Sequence, residues 1–137
     1  MRSSLQDVFV SLKAILQPYA SQHGFIPSES DERFAIASAT KTDRIGRPLF
    51  IAAVEVNKRY VSYHLMPIYM NPTLLADVSP GLRKRMQGKS CFNFTRVDEP
   101  LFAELTDLTR RGYEVTAGDP EWGKRQRERW DKARSNR

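Results

Sequence analysis

The stretch GLRKRMQGKSCFNF, Gly81 to Phe94, decides the fold because it resembles a phosphate-binding loop and resolves into something else. A Walker A loop needs Gly, four residues, then Gly-Lys-Ser/Thr, so that backbone amides wrap a phosphate and the next helix points its N-terminus at it. Here six residues, Leu82 to Gln87, separate the glycines. The order of elements is reversed as well: a short basic helix precedes Gly88, and a strand from Ser90 to Arg96 follows. That spacing excludes nucleotide hydrolysis through a Walker loop. Gly88-Lys89 reads instead as a turn that redirects the chain into a strand, with glycine supplying backbone freedom and lysine exposed.

Working outward, Leu5, Val8, Phe9, Leu12, Ile15, Leu16 and Tyr19 recur at spacings of three and four, one apolar stripe on an amphipathic helix. Ser3 or Ser4 caps its start, and Pro18 is expected to end or kink it near Gln17. A polar loop through Pro27 to Glu32 precedes three strand-like segments, Arg33 to Thr40, Pro48 to Val56 and Arg59 to Tyr69, which read as an antiparallel meander. Asn57-Lys58 sits at hairpin spacing. By the two-residue period, Phe50, Ala52, Val54 and Val56 share one face of the second strand. In the third, Val61, Tyr63 and Leu65 oppose Ser62, His64 and Met66. Capping residues precede proline at Asn71-Pro72, Ser79-Pro80, Asp98-Glu99-Pro100 and Asp119-Pro120, which predicts four helix starts. The third opens a helix carrying Leu101, Phe102, Leu105 and Leu108 and ending at Gly112.

The expectation is an α+β domain: N-terminal helix, three-stranded antiparallel meander, short helices, fourth strand, closing helix and a basic C-terminal helix. Residues 1–115 form the single domain and 116–137 the basic tail. A chain of 137 residues with 40% hydrophobic content supports one core. No apolar run approaches the ~20 residues a membrane helix needs, and Gln6 and Asp7 interrupt any signal-like start, so a cytoplasmic protein without membrane contact is expected. One cysteine, Cys91, excludes an internal disulfide and a multi-cysteine zinc site.

Candidate chemistry is sparse. Cys91 and His64 are the available nucleophile and base, but both lie on strands opposite large apolar residues, and a lone strand cysteine reads as packing. Glu29, Asp31 and Glu32 read as a solvated loop rather than a cation site. No catalytic residue, metal or cofactor is assigned. If the fourth strand lies beside the third, Ser62, His64, Cys91 and Asn93 share a sheet face and form a ligand-binding site for a small molecule or protein. The alternative is nucleic-acid binding through Arg83, Lys84, Arg85 and Lys89 with Lys124, Arg125, Arg127 and Arg129 of the tail. Glu121 to Arg137 carries seven Lys/Arg against three Asp/Glu, so +4 of the chain's net +6 sits in that tail. Lys58, Arg59, Tyr60, Tyr63 and Tyr69 interleave charge with aromatics that stack on bases in some proteins, although Tyr63 shares its face with Val61 and Leu65. An exposed edge strand is compatible with a monomer or a homodimer.

The segments RYVSYHLMPIYM, SPGLRKRMQGKSCFNF and LFAELTDLTRRG, in that order, resemble the YdhG-like family of small bacterial domains. Tyr60 to Tyr63, Gly88-Lys89 and Phe92 to Phe94 carry the resemblance, with Gly46-Arg47-Pro48-Leu49-Phe50 adding to it; it covers about residues 46 to 112. It implies a curved antiparallel sheet packed against helices, mostly with no assigned activity. One branch of that family is described as frataxin-like, an intracellular iron chaperone. That role relies on an acidic ridge, whereas the first helix here carries Asp7 against Lys13.

Overall fold

A computed structural model describes residues 4–22, 25–42 and 45–118. Five antiparallel strands form one sheet in chain order, β1 (Phe25–Glu29), β2 (Arg33–Thr42), β3 (Pro48–Val56), β4 (Val61–Leu65) and β5 (Cys91–Phe94). Helix α1 (Leu5–Ala20) precedes them and α4 (Glu99–Gly118) follows them. Two short helices, α2 (Met66–Met70) and α3 (Pro80–Arg83), and a 3-10 turn at Pro72–Leu75 link β4 to β5. The α+β architecture is as expected, with one strand more than the sequence suggested.

The core lies between α1, α4 and one sheet face. Val8, Phe9, Leu12, Ile15 and Leu16 of α1 are buried, as are Phe102, Leu105 and Leu108 of α4. They meet Phe34, Ile36, Ala52, Val54, Val61, Tyr63, Leu65, Phe92 and Phe94 from the sheet. Helix α1 starts on a reciprocal capping box: the Asp7 amide donates to Ser4 Oγ at 3.0 Å and the Ser4 amide to Asp7 Oδ2 at 3.2 Å. Asp98 caps α4 through the Leu101 amide at 3.2 Å.

Several local expectations are corrected. Residues 25–29, read partly as a polar loop, form β1; only one of its side chains, Phe25, is even partly buried, so no alternation marked the strand. Helix α1 runs through Pro18 to Ala20, because Tyr19 and Ala20 pack on the core and Tyr19 stacks on Tyr113 with centroids 4.9 Å apart. That packing outweighs the backbone bond Pro18 cannot make. The third predicted strand stops at Leu65, and helix α2 begins at Met66 with Pro67 in its first turn. Residues Asn57 to Tyr60 make a four-residue connection closed by Asn57 N–H donating to Tyr60 O at 2.8 Å, not a two-residue turn. Helix α4 continues past Gly112 to Gly118. Gly112 is buried against Pro67, whose Cβ would lie 3.2 Å from an added Cβ, so glycine serves close packing rather than a stop.

Ile51 is the extra residue of a β-bulge: Ile36 pairs with Ala52 but Ala37 pairs with Phe50. Phe50 therefore leaves the core face it was assigned by strict alternation and joins the opposite one, while Ile51 and Leu49 are buried. Both sheet edges are also managed. Ser30 N–H bonds Arg33 O, so by alternation Pro27 directs its nitrogen away from β2, and the outer edge of β1 lacks a central donor. Residues 85–87 line the outer edge of β5. These features weaken the case for a dimer by edge pairing.

Candidate functional site

Strand β5 does pair with β4, in the register Ser62 with Asn93 and His64 with Cys91. The four expected site residues thus come together on the sheet face opposite α1 and α4, because Tyr63, Phe92 and Phe94 claim the core side of both strands. The register extends across neighbouring strands, placing Arg33, Glu55, Ser62 and Asn93 in one row and Ala35, Ala53, His64 and Cys91 in the next.

A hydrogen-bonded chain orders the first row. Asn57 Nδ2 donates to Ser62 Oγ at 3.0 Å, Ser62 Oγ to Asn93 Oδ1 at 2.9 Å, and Asn93 Nδ2 to Gln87 Oε1 at 2.5 Å. Arg33 Nε donates to Glu55 Oε2 at 3.1 Å, completing the row as an ion pair. In the second row the Cys91 thiol donates to Asn93 Oδ1 at 3.5 Å and lies 3.9 Å from His64 Nε2. Phe50, brought here by the bulge, meets the His64 ring edge-on with centroids 6.3 Å apart. His64 and Cys91 are each about half-buried.

Electrostatics keep this pair neutral. Burial lowers the His64 imidazole below its ordinary value; Glu55 offsets part of that and Arg33 adds to it. Burial raises the Cys91 thiol, the nearby Ser62 hydroxyl partly opposes it, and Glu55 raises it further. A thiolate nucleophile needs the opposite environment, electropositive and solvated. The arrangement presents hydrogen-bonding groups in fixed positions. The only polar contact of His64 among the described residues is Cys91, which leaves its second ring nitrogen without a partner.

Other candidates are dispersed. Tyr63 is fully buried, its hydroxyl 2.5 Å from Thr109 Oγ1, and Tyr69 lies under Lys89 Nζ at 5.9 Å, so the tyrosines form no common stacking surface. Glu29 pairs with Lys13, and among the described residues no three His, Cys, Asp or Glu side chains gather as a metal site. No helix among the described residues is long and apolar enough to cross a membrane. Arg83, Lys84, Arg85 and Lys89 are exposed around α3 and the turn after it. Lys124, Arg125, Arg127 and Arg129, with the expected C-terminal helix, lie outside the described residues.

Sequence reasoning missed Asn57, Gln87, Phe50 and the Arg33–Glu55 pair. Gln87 had a signal: Gly88 carries φ of 78°, so the chain reverses there and residues 85–87 run back along β5, opposite Asn93 and Cys91. Phe50 had none, since nothing in the alternating run announces a bulge at Ile51. The chain matches no family model, no curated protein and no solved structure.

Proposed function

We propose that this chain is a noncatalytic binding module whose contact surface is the sheet face carrying Ser62, His64, Cys91 and Asn93, taking a small hydrogen-bonding ligand. The observation that carries the reading is the half-buried His64 imidazole, one nitrogen of which has no partner among the described residues, beside a row of amides and hydroxyls already locked to one another. Preordered polar groups lose little entropy on binding, and an open imidazole nitrogen supplies the remaining hydrogen bond. The raised thiol and neutral imidazole favour binding over nucleophilic chemistry. Membership of the YdhG-like family belongs to the same proposal and rests on the motifs of residues 46 to 112.

The test is a metabolite panel screened by thermal shift, with each hit mapped by amide chemical shifts. A true ligand moves the signals of residues 62, 64, 91 and 93, and Asn93→Ala and His64→Ala abolish its stabilising effect. Hits that all map elsewhere, or that bind both variants like the native chain, overturn the reading. A protein captured through the same four residues would replace the small ligand by a protein surface.

A further inference from the structure

The segment between Val78 and Val97 holds five cationic side chains, Arg83, Lys84, Arg85, Lys89 and Arg96, and no acidic one. All five are exposed. All five belong to the segment that forms one edge of the sheet. Asn93 N–H donates to Arg85 O at 2.8 Å and Gln87 N–H to Cys91 O at 2.9 Å, so residues 85–87 run antiparallel to β5 on its outer side. In that register Arg85 stands opposite Asn93.

Acids flank the segment at Asp77, Asp98 and Glu99, and among the described residues none of them forms an ion pair with the five cations; Asp98 accepts from the Leu101 amide. Glu104 of α4, packed against α3, accepts the Ser79 amide at 2.7 Å and the Ser79 hydroxyl at 2.6 Å. Asp107 and Glu114 pair with Arg110 and Arg111 along α4 itself. None of the five cations joins an ion pair among the described residues; Arg83 donates to Leu75 O and Lys89 sits over Tyr69. An uncompensated line of cations on a small domain is a standing attraction for a polyanion.

The surroundings select among polyanions. The large apolar side chains exposed among the described residues are Val10, Ile26 and Ile45, on α1, β1 and the turn before β3. The strip therefore lacks the apolar anchor that a membrane surface or a protein hot spot requires. What it offers beside the cations is the exposed Gln87 side chain, whose Oε1 accepts from Asn93 while its Nε2 makes no bond among the described residues and is able to meet the Watson–Crick base edges that only an unpaired strand presents. We propose that the β5 edge binds single-stranded nucleic acid, chiefly through its phosphates.

The test uses the full chain and a fluorescein-labelled 20-mer of uridylate, read by anisotropy across a salt series. Five phosphate contacts give a log–log salt slope approaching about −3.5, and Lys84→Glu/Arg85→Glu/Lys89→Glu should cut the slope magnitude by about 2 and weaken binding at least tenfold. Arg83 stays native in that variant to keep its bond to Leu75, and Lys84→Gln/Arg85→Gln/Lys89→Gln should lose affinity in the same direction with less perturbation. Lys13→Gln, which removes a cation beside the other sheet edge at β1, leaves oligonucleotide binding unchanged, so that a loss in the triple variants belongs to the β5 edge and not to total charge. It is overturned by absence of binding at 50 mM salt up to about 100 µM protein, the weak end of nonspecific affinity. It is overturned equally if both triple variants bind like the native chain, or if a duplex of the same length binds tenfold more tightly.

Discussion

Replacing Tyr63 with Phe and Thr109 with Val, singly and together, should show that one buried hydrogen bond ties β4 to α4. Tyr63 is fully buried and Thr109 nearly so, and their hydroxyl oxygens lie 2.5 Å apart across the interface of sheet and helix. Tyr63→Phe removes one partner and leaves Thr109 to satisfy itself within its own helix, at about 1–1.5 kcal/mol. Thr109→Val keeps the volume but strands the phenol hydroxyl in the core, which costs about 1–3 kcal/mol. The double variant has no polar group left to satisfy and should lie within about 1 kcal/mol of the native chain, giving a coupling energy of about 1–4 kcal/mol. Urea unfolding followed by circular dichroism at pH 7 measures all four species, and an unchanged m-value shows that the native and unfolded states are comparable. Additive losses, with the double variant as unstable as the two singles summed, would refute the reasoning.

The same residue makes a pH prediction with a definite sign. Burial pushes the Tyr63 phenol far above its ordinary range, although the Thr109 hydrogen bond opposes that. The folded state therefore holds this proton more tightly than the unfolded state, whose phenol titrates near pH ~10. The associated stability is fully present below that pH and is lost as pH rises beyond it, by up to about 1.4 kcal/mol per pH unit. The native chain should lose its advantage over Tyr63→Phe between about pH 10 and 12, while the gap stays flat from pH 6 to 9.

Three further outcomes follow from particular contacts. Glu55→Gln should shift the two site groups in the same direction for one reason: the Glu55 carboxylate favours the protonated form of both the His64 imidazole and the Cys91 thiol, so both should titrate lower in the variant, by imidazole NMR and by the pH profile of alkylation; a shift confined to one group would show that Glu55 does not face both. Gly88→Ala should cost about 1–2 kcal/mol, because φ is 78° there while the space around a Cβ is empty, and Gly88→Asn should recover part of it in thermal unfolding. Gly112→Val should cost about 2 kcal/mol by pressing on Pro67, whereas Gly112→Ala gains about 1 kcal/mol of helix propensity against a milder contact and should be near neutral; equal stabilities for the two variants would mean the α4–Pro67 approach is loose.

Much of the fold was legible where one period dominated. The stripe on α1, the alternation in β4 and β5, and the Ser79 and Asp98 caps each reflect interactions within a few residues of chain. The misreadings arose where a contact from elsewhere decided the local conformation. Tyr19 on Tyr113 carries α1 through Pro18, and Pro67 against Gly112 turns an apparent helix stop into a packing point. Strand β1 is held by its pairing with β2 while nearly all of its side chains face solvent, so hydrophobic period had nothing to register.

The candidate site divides in the same way. That Ser62, His64, Cys91 and Asn93 share a face follows from alternation once β4 and β5 pair, so the sequence contains it conditionally. The surroundings that set their chemistry do not follow. Phe50 reaches His64 only because Ile51 bulges, and Gln87 reaches Asn93 only because Gly88 reverses the chain. One bulge and one left-handed glycine thus convert four alternating side chains into a surface with an aromatic wall, a closed hydrogen-bond chain and a cationic rim at Arg85. Both features change which face or edge a residue occupies without changing the hydrophobic pattern, and for that reason the site's composition is a property of the fold rather than of any motif.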